Sequence, residues 1–148
     1  MWREQLFVNW LEKIRTDAAE LYIVGDMFDF WYEYKRVVPK GFVRTLGKLA
    51  ELADNGIKIH FFTGNHDVWA FSYLHDELGI ELHDGPLTTE LFGKRFYIAH
   101  GDGLGPGDWS YKLLKRIFRS KLMQFLFSTF LHPDAALWFG HKLSNTSR

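Results

Sequence analysis

Leu21-Tyr22-Ile23-Val24-Gly25-Asp26 decides how this chain is read. Four apolar residues in a row, halted by glycine, are the pattern of a short buried strand. The carboxylate after the glycine then stands at the strand's carboxyl end. The same pattern recurs twice. Ile57 to Thr63 (IKIHFFT) is a second apolar run, closed by Gly64 and followed by Asn65-His66-Asp67, and Arg95 to Ala99 leads into His100-Gly101-Asp102. In open α/β sheets, ligands bind beyond the carboxyl ends of the strands. Asp26, Asn65 and His100 are therefore expected to converge in space although they are far apart in sequence.

The segments between these runs read as helices and a hairpin. Trp2 to Ala19 carries apolar residues at Leu6, Trp10, Leu11 and Ile14, which is helical spacing. Phe42 to Asn55 is a second amphipathic helix, with Leu46, Leu49, Ala50 and Ala53 on one face and Asn55-Gly56 as its stop. Val68 to Leu78 predicts a short helix ended by Gly79, and Leu87 to Leu91 pairs with Arg95 to Ala99 around Phe92-Gly93-Lys94. A glycine-rich loop from Gly101 to Gly107 leads into a long helical pattern beginning near Asp108. The order predicts an α/β layout with a mostly parallel sheet.

Composition narrows the chemistry. The 148 residues suffice for one domain with a sizeable core, and 47% of them are hydrophobic. Eighteen Lys and Arg balance eighteen Asp and Glu, so no global field draws in nucleic acid, which is not an expected partner. Any anion site must be local. The absence of cysteine excludes disulfides, thiolate metal sites and cysteine nucleophiles. No apolar signal-peptide core opens the sequence, and no run approaches the roughly 20 apolar residues of a membrane span. What remains is a carboxylate, an amide oxygen and an imidazole. That mixed oxygen and nitrogen set suits Mn²⁺, Mg²⁺, Fe²⁺ or Zn²⁺.

Gly25-Asp26-Met27-Phe28-Asp29, Gly64-Asn65-His66-Asp67 and His100-Gly101-Asp102, in that order and spacing, resemble the central motifs of calcineurin-like metallophosphoesterases. The GD-x-F-D-F-W run ending at Trp31 and HGDGLGPGDWSYK from His100 to Lys112 are closer still to the UDP-2,3-diacylglucosamine hydrolase branch of that family. The resemblance implies a dinuclear site, with two ions about 3.5–4 Å apart clamping a phosphate and activating water. Asp26 would bridge both ions, and Asn65 and His100 would each bind one. His66 would stand near the leaving-group oxygen with Asp67 in support, and Asp102 would orient His100. The resemblance implies Mn²⁺ as the ion, with Mg²⁺, Fe²⁺ or Zn²⁺ as alternatives. Its opening Asp-x-His and closing Gly-His-x-His segments have no counterpart here, since Gly140-His141-Lys142-Leu143 lacks the second histidine and sits in a helical context. The expectation is a chain truncated at both ends. Many members of the branch carry Arg where this chain has His66.

Plainer roles stand beside these. Asp26 alone reads as a turn carboxylate, and Asn65 as a left-handed turn residue. Asp29 reads as a turn or cap. Asp67 is equally a helix cap before Val68. Trp31, Tyr32 and Tyr34 are core aromatics or a binding surface, and the resemblance puts Trp31 at the substrate. Asp108 is an N-cap or, by resemblance, a substrate contact together with Tyr111. His60, His75, His83 and His132 read as ordinary core or surface histidines. Tyr111 to Leu131 is very apolar and carries Lys112, Lys115, Arg116, Arg119 and Lys121. It reads either as a core-facing helix with a basic edge or as an interfacial one.

Taken together, the expected fold is α/β, a partial metallophosphoesterase layered sandwich with a helical lid insertion. Residues 1–109 form the core, and 110–148 begin the lid. The resemblance implies hydrolysis of the pyrophosphate bond of UDP-2,3-diacylglucosamine to 2,3-diacylglucosamine 1-phosphate and UMP. It implies a cytoplasmic protein with peripheral inner-membrane contact and a nucleotide-linked lipid as substrate. The alternatives are another phosphoester substrate, or a non-catalytic fragment that binds a metal or a partner.

Overall fold

In the computed structural model, residues 2–102, 113 and 116–146 are described. Helix α1 (Trp2–Ile14) leads into β1 (Glu20–Val24), then α2 (Val43–Asp54), β2 (Lys58–Phe62), α3 (Tyr73–Leu78) and β3 (Glu81–His83). The hairpin strands β4 (Leu87–Leu91) and β5 (Lys94–Ile98) follow, and then the helices α4 (Lys121–Phe130) and α5 (Pro133–Thr146). β1, β2 and β3 form a parallel sheet in that order, while β4 and β5 pair with each other as a separate two-stranded sheet.

Register sorts the sheet residues by face. Leu21 lies beside Ile59, and Ile23 beside Phe61 and Leu82. These side chains pack with Leu11 of α1, Leu49 and Leu52 of α2, and Leu74 and Leu78 of α3 in one apolar cluster. The opposite face carries Tyr22, His60 and Glu81 in one row, and Val24, Phe62 and His83 in the next. Lys48 fastens α2 to α1 by reaching Glu12 at 2.7 Å.

Several elements depart from expectation. α1 ends at Ile14 instead of running to Ala19, because the amides of Asp17 and Ala18 turn back onto the Ile14 carbonyl. The helix expected from Val68 begins only at Tyr73. Residues 66–70 form a turn, closed by Ala70 N donating to Asp67 O and held to the preceding loop: Trp31 N donates to His66 O, Glu33 N to Trp69 O, and Tyr32 bridges Trp69. Asp67 is therefore not a helix cap. Strand β3 was not expected at all. In the helix expected over Tyr111–Leu131, the described part breaks at Ser120, whose ψ of 126° is extended.

The broken helix is tied to the sheet's outer loops by backbone carbonyls. Trp69 Nε1 donates to Phe118 O at 2.7 Å, Tyr32 Oη to Gln124 O at 3.0 Å, and Tyr34 Oη to Leu131 O at 3.1 Å. Tyr32, Tyr34 and Trp69 thus serve as fasteners. The result is a mixed α/β structure with a three-stranded parallel sheet, consistent with part of a metallophosphoesterase fold. Among the described residues, no helix is long and apolar enough to cross a membrane.

Candidate functional site

At the carboxyl end of β1, Gly25 and Asp26 both take positive φ, 74° and 53°. The left-handed turn lifts Asp26 out of the sheet. For a side-chain-bearing residue this is a costly backbone region, and the surroundings hold it there. Asp26 Oδ1 accepts the His66 amide at 3.1 Å. Its other oxygen, Oδ2, lies 3.5 Å from His100 Nε2. Asn65 Oδ1 lies 3.3 Å from the same nitrogen. The three expected positions therefore meet around one point.

Two glycines make that approach possible. A Cβ at Gly25 would collide with the His100 ring, and one at Gly64 with the Asp26 carboxylate. Asp67 is fully buried, and its two oxygens accept the amides of Gly64 at 2.6 Å and Met27 at 3.0 Å. It thereby clamps the Asn65 loop to the Asp26 loop. Burial pushes its carboxyl up to about 6, against the pull of the Gly64 amide and with the Asp26 charge adding to the rise.

The protonation pattern bears on whether a cation fits. His100 Nδ1 sits 2.9 Å from the Val24 carbonyl, which can only accept, so Nδ1 carries the proton. Nε2 is left with its lone pair, and it faces two further acceptors, Asn65 Oδ1 and Asp26 Oδ2. With the ring neutral, three electron-pair donors face one point, and a cation between them, a metal ion or a proton on Nε2, satisfies all three. The set therefore fits a metal ion of the hard or borderline kind.

The other expected site residues fall out as follows. His66 Nδ1 is 3.1 Å from the Asp29 carbonyl, which again fixes the proton on Nδ1 and leaves Nε2 for other work. His100 Nδ1 is oriented by the Val24 carbonyl, a partner not expected from the sequence. Trp31 sits in the apolar core. It is fully buried, stacks on Phe28 at 4.2 Å, and donates Nε1 to Glu33 at 3.0 Å. Asp108 and Tyr111 lie outside the described residues. A cavity of about 670 Å³ reaches Asp26, Met27 and Asp29, with α1, Lys40 and Phe42 among its walls.

A second donor cluster was read as ordinary histidines. His60, Glu81 and His83 bring their ligand atoms within 4.8 Å of one another on the sheet face opposite the helices. The signal available in sequence was slight: Glu81-Leu82-His83 alternates as a strand does, but its pairing with His60 is a matter of register.

A strained carboxylate, an amide and an imidazole at adjoining strand ends define a candidate metal-dependent hydrolytic centre. The chain is homologous to UDP-2,3-diacylglucosamine hydrolases. It is 47% identical to that enzyme of Porphyromonas gingivalis over 146 residues, 98% of this chain and 55% of the relative. It is 31% identical to the Histophilus somni enzyme over 124 residues, 83% of this chain and 52% of the relative. The Haemophilus influenzae enzyme is also 31% identical, over 125 residues, 82% of this chain and 51% of the relative. The chain thus spans about half the length of the curated relatives it matches. No protein-family model matches it.

Proposed function

We propose that this chain carries the catalytic core of a metal-dependent hydrolase that splits the pyrophosphate bond of UDP-2,3-diacylglucosamine into 2,3-diacylglucosamine 1-phosphate and UMP. The observation that carries this reading is the facing of His100 Nε2, Asn65 Oδ1 and Asp26 Oδ2 within 3.5 Å contacts of the imidazole, in a chain homologous to hydrolases of that name. Asp26, Asn65 and His100 are the proposed ligands, Mn²⁺ the proposed ion, and Asp26 the residue shared with a second ion. A divalent ion supplies charge against the phosphate oxygens and activation of water.

The chain's own residues have separate tasks. Val24 O orients His100. Asp67 holds the two loops in register. His66, its Nδ1 proton engaged by Asp29 O, offers Nε2 to the leaving oxygen as a proton carrier. Asp108 and Tyr111 are proposed substrate contacts. The apolar side chains of α4, with the helical segment before it, are proposed as part of a lid over the acyl chains and as a cytoplasmic-side contact with the inner membrane.

The test is UMP release from UDP-2,3-diacylglucosamine with Mn²⁺ present. Asp26→Asn and His100→Ala are each expected to lower it by about 10²-fold or more, because losing a ligand to the ion removes its activation of water and its charge at the phosphate. Cleavage of simple aryl phosphates without cleavage of the UDP-lipid would leave a phosphoesterase of another substrate. No cleavage of either would overturn the catalytic reading.

A further inference from the structure

The sheet face turned away from the helices is unusual for a parallel sheet. Such faces are normally aliphatic, yet its middle row is Tyr22, His60 and Glu81, followed by Phe62 and His83. His60 is only 3% exposed. A buried imidazole at that position needs partners for both nitrogens. Its Nδ1 lies 2.9 Å from His83 Nε2 and 3.5 Å from Glu81 Oε2. Its Nε2 is buried without a hydrogen-bond partner and points toward Glu20 Oε2 at 3.8 Å. His83 Nε2 in turn lies 3.6 Å from Glu81 Oε1.

Tautomers decide what this arrangement wants. With the His60 proton on Nδ1, the bare Nε2 lone pair would face the Glu20 carboxylate. With the proton on Nε2, that N–H points at Glu20 and the Nδ1 lone pair turns to His83 and Glu81. In the second state, with the His83 proton on Nε2, that proton lies between the two rings and the Glu81 carboxylate. It is shared by His60 Nδ1 and Glu81 Oε1, while Glu81 Oε2 has the Lys58 ammonium at 3.4 Å. One divalent ion in its place satisfies all of them at once. Glu20 Oε2, which accepts the Tyr22 hydroxyl, lies on the Nε2 side of the same ring. Stacking of His60 on Tyr22 at 4.5 Å and of His83 on Phe62 at 4.6 Å fixes both rings. Lys58 pairs with Glu81 Oε2 at 3.4 Å, and its side chain is 60% exposed.

We propose that His60 Nδ1, Glu81 and His83 Nε2 form a second metal site, separate from the Asp26–Asn65–His100 centre, that takes one borderline divalent ion of the Zn²⁺ class. Two imidazoles and a carboxylate leave the fourth tetrahedral position to water. The ion braces β2 to β3.

Co²⁺ is the probe, because its visible absorption reports tetrahedral nitrogen and oxygen ligation. The background is the protein carrying Asp26→Asn and His100→Ala, which disables the other centre. One equivalent of Co²⁺ is expected to bind there with visible absorption, and Zn²⁺ should displace it and raise Tm. His83→Ala and, separately, the exposed change Glu81→Gln should each weaken binding at least 10-fold. Circular dichroism confirms that each variant is folded, and the Glu81 variant keeps the test decisive where the His83 variant does not fold. Absence of Co²⁺ binding in the background protein, or binding unmoved by both changes, overturns the proposal. UMP release by the parent protein is a separate readout, so either reading can fail without the other.

Discussion

His66 touches the candidate centre twice and by different means. Its amide donates to Asp26 Oδ1, and its ring is held by the Asp29 carbonyl. His66→Ala deletes the ring and keeps the amide. Metal content measured by elemental analysis is therefore expected to hold, while turnover falls by about 10²–10⁴-fold, the usual worth of a general acid. Equal loss of metal and turnover would make His66 a ligand or a structural residue instead. At this scale the sequence was informative where a polar residue follows an apolar run directly or across one glycine, as with Asp26, Asn65 and His100. It was ambiguous for Trp31, since an aromatic beside a motif serves a core as well as a pocket. It was silent on His100 Nδ1, whose partner is a main-chain carbonyl that any residue at position 24 would supply. Nor could it join His60 to Glu81, which are neighbours only through strand register.

Helix α3 illustrates how an element can depend on a residue far from it. Its N-cap, Ser72, makes no side-chain cap bond. The amides of Ser72 and Tyr73 are served instead by Glu33 Oε2, at 2.9 and 3.1 Å, while Glu33 Oε1 accepts Trp31 Nε1. Glu33 is itself buried. Glu33→Ala would leave three donors without their carboxylate, at a cost of about 1–3 kcal/mol for each buried group left unsatisfied. An overall loss of about 3 kcal/mol in denaturant unfolding is expected, with early hydrogen exchange in Tyr73–Leu78. A loss under 1 kcal/mol would mean that water caps the helix and Glu33 is incidental. Local pattern could not reveal this cap. β1, β2 and the hairpin were legible because each is an apolar or alternating run bounded by glycine or a turn. β3 was not, having three residues of which two are polar. The break at Ser120 was hidden too, because apolar periodicity continues through it while Trp69 captures the carbonyl of Phe118.

Across the molecule, the distribution of apolar surface separates a lipid substrate from a soluble one. α4 buries none of its residues completely, and Leu122, Phe125 and Phe130 are 65%, 62% and 78% exposed. Phe127 is different: its ring packs on Tyr32 and Trp69 at 4.9 and 4.8 Å, so it belongs to the attachment of the helix. Arg119 is likewise engaged, donating to Asp84 O at 3.0 Å and Thr63 Oγ1 at 3.3 Å, and it is not available to an anionic surface as the sequence pattern suggested. Exposed large apolar side chains in a row mark a contact of some kind. Covering one by an acyl chain contributes roughly 1.5–3 kcal/mol, which is about tenfold or more in affinity. Leu122→Asn, Phe125→Ser and Phe130→Ser together are therefore expected to raise KM for long-chain UDP-2,3-diacylglucosamine at least tenfold. A chain-free phosphodiester should be cleaved as before, and the unfolding midpoint should stay put because these side chains are already in water. Phe127→Ser should do the reverse, lowering stability through the lost packing on Tyr32 and Trp69. If the triple variant slows both substrates alike, or neither, the exposed face of α4 is not an acyl-chain surface, and the case for a lipid substrate loses its physical support.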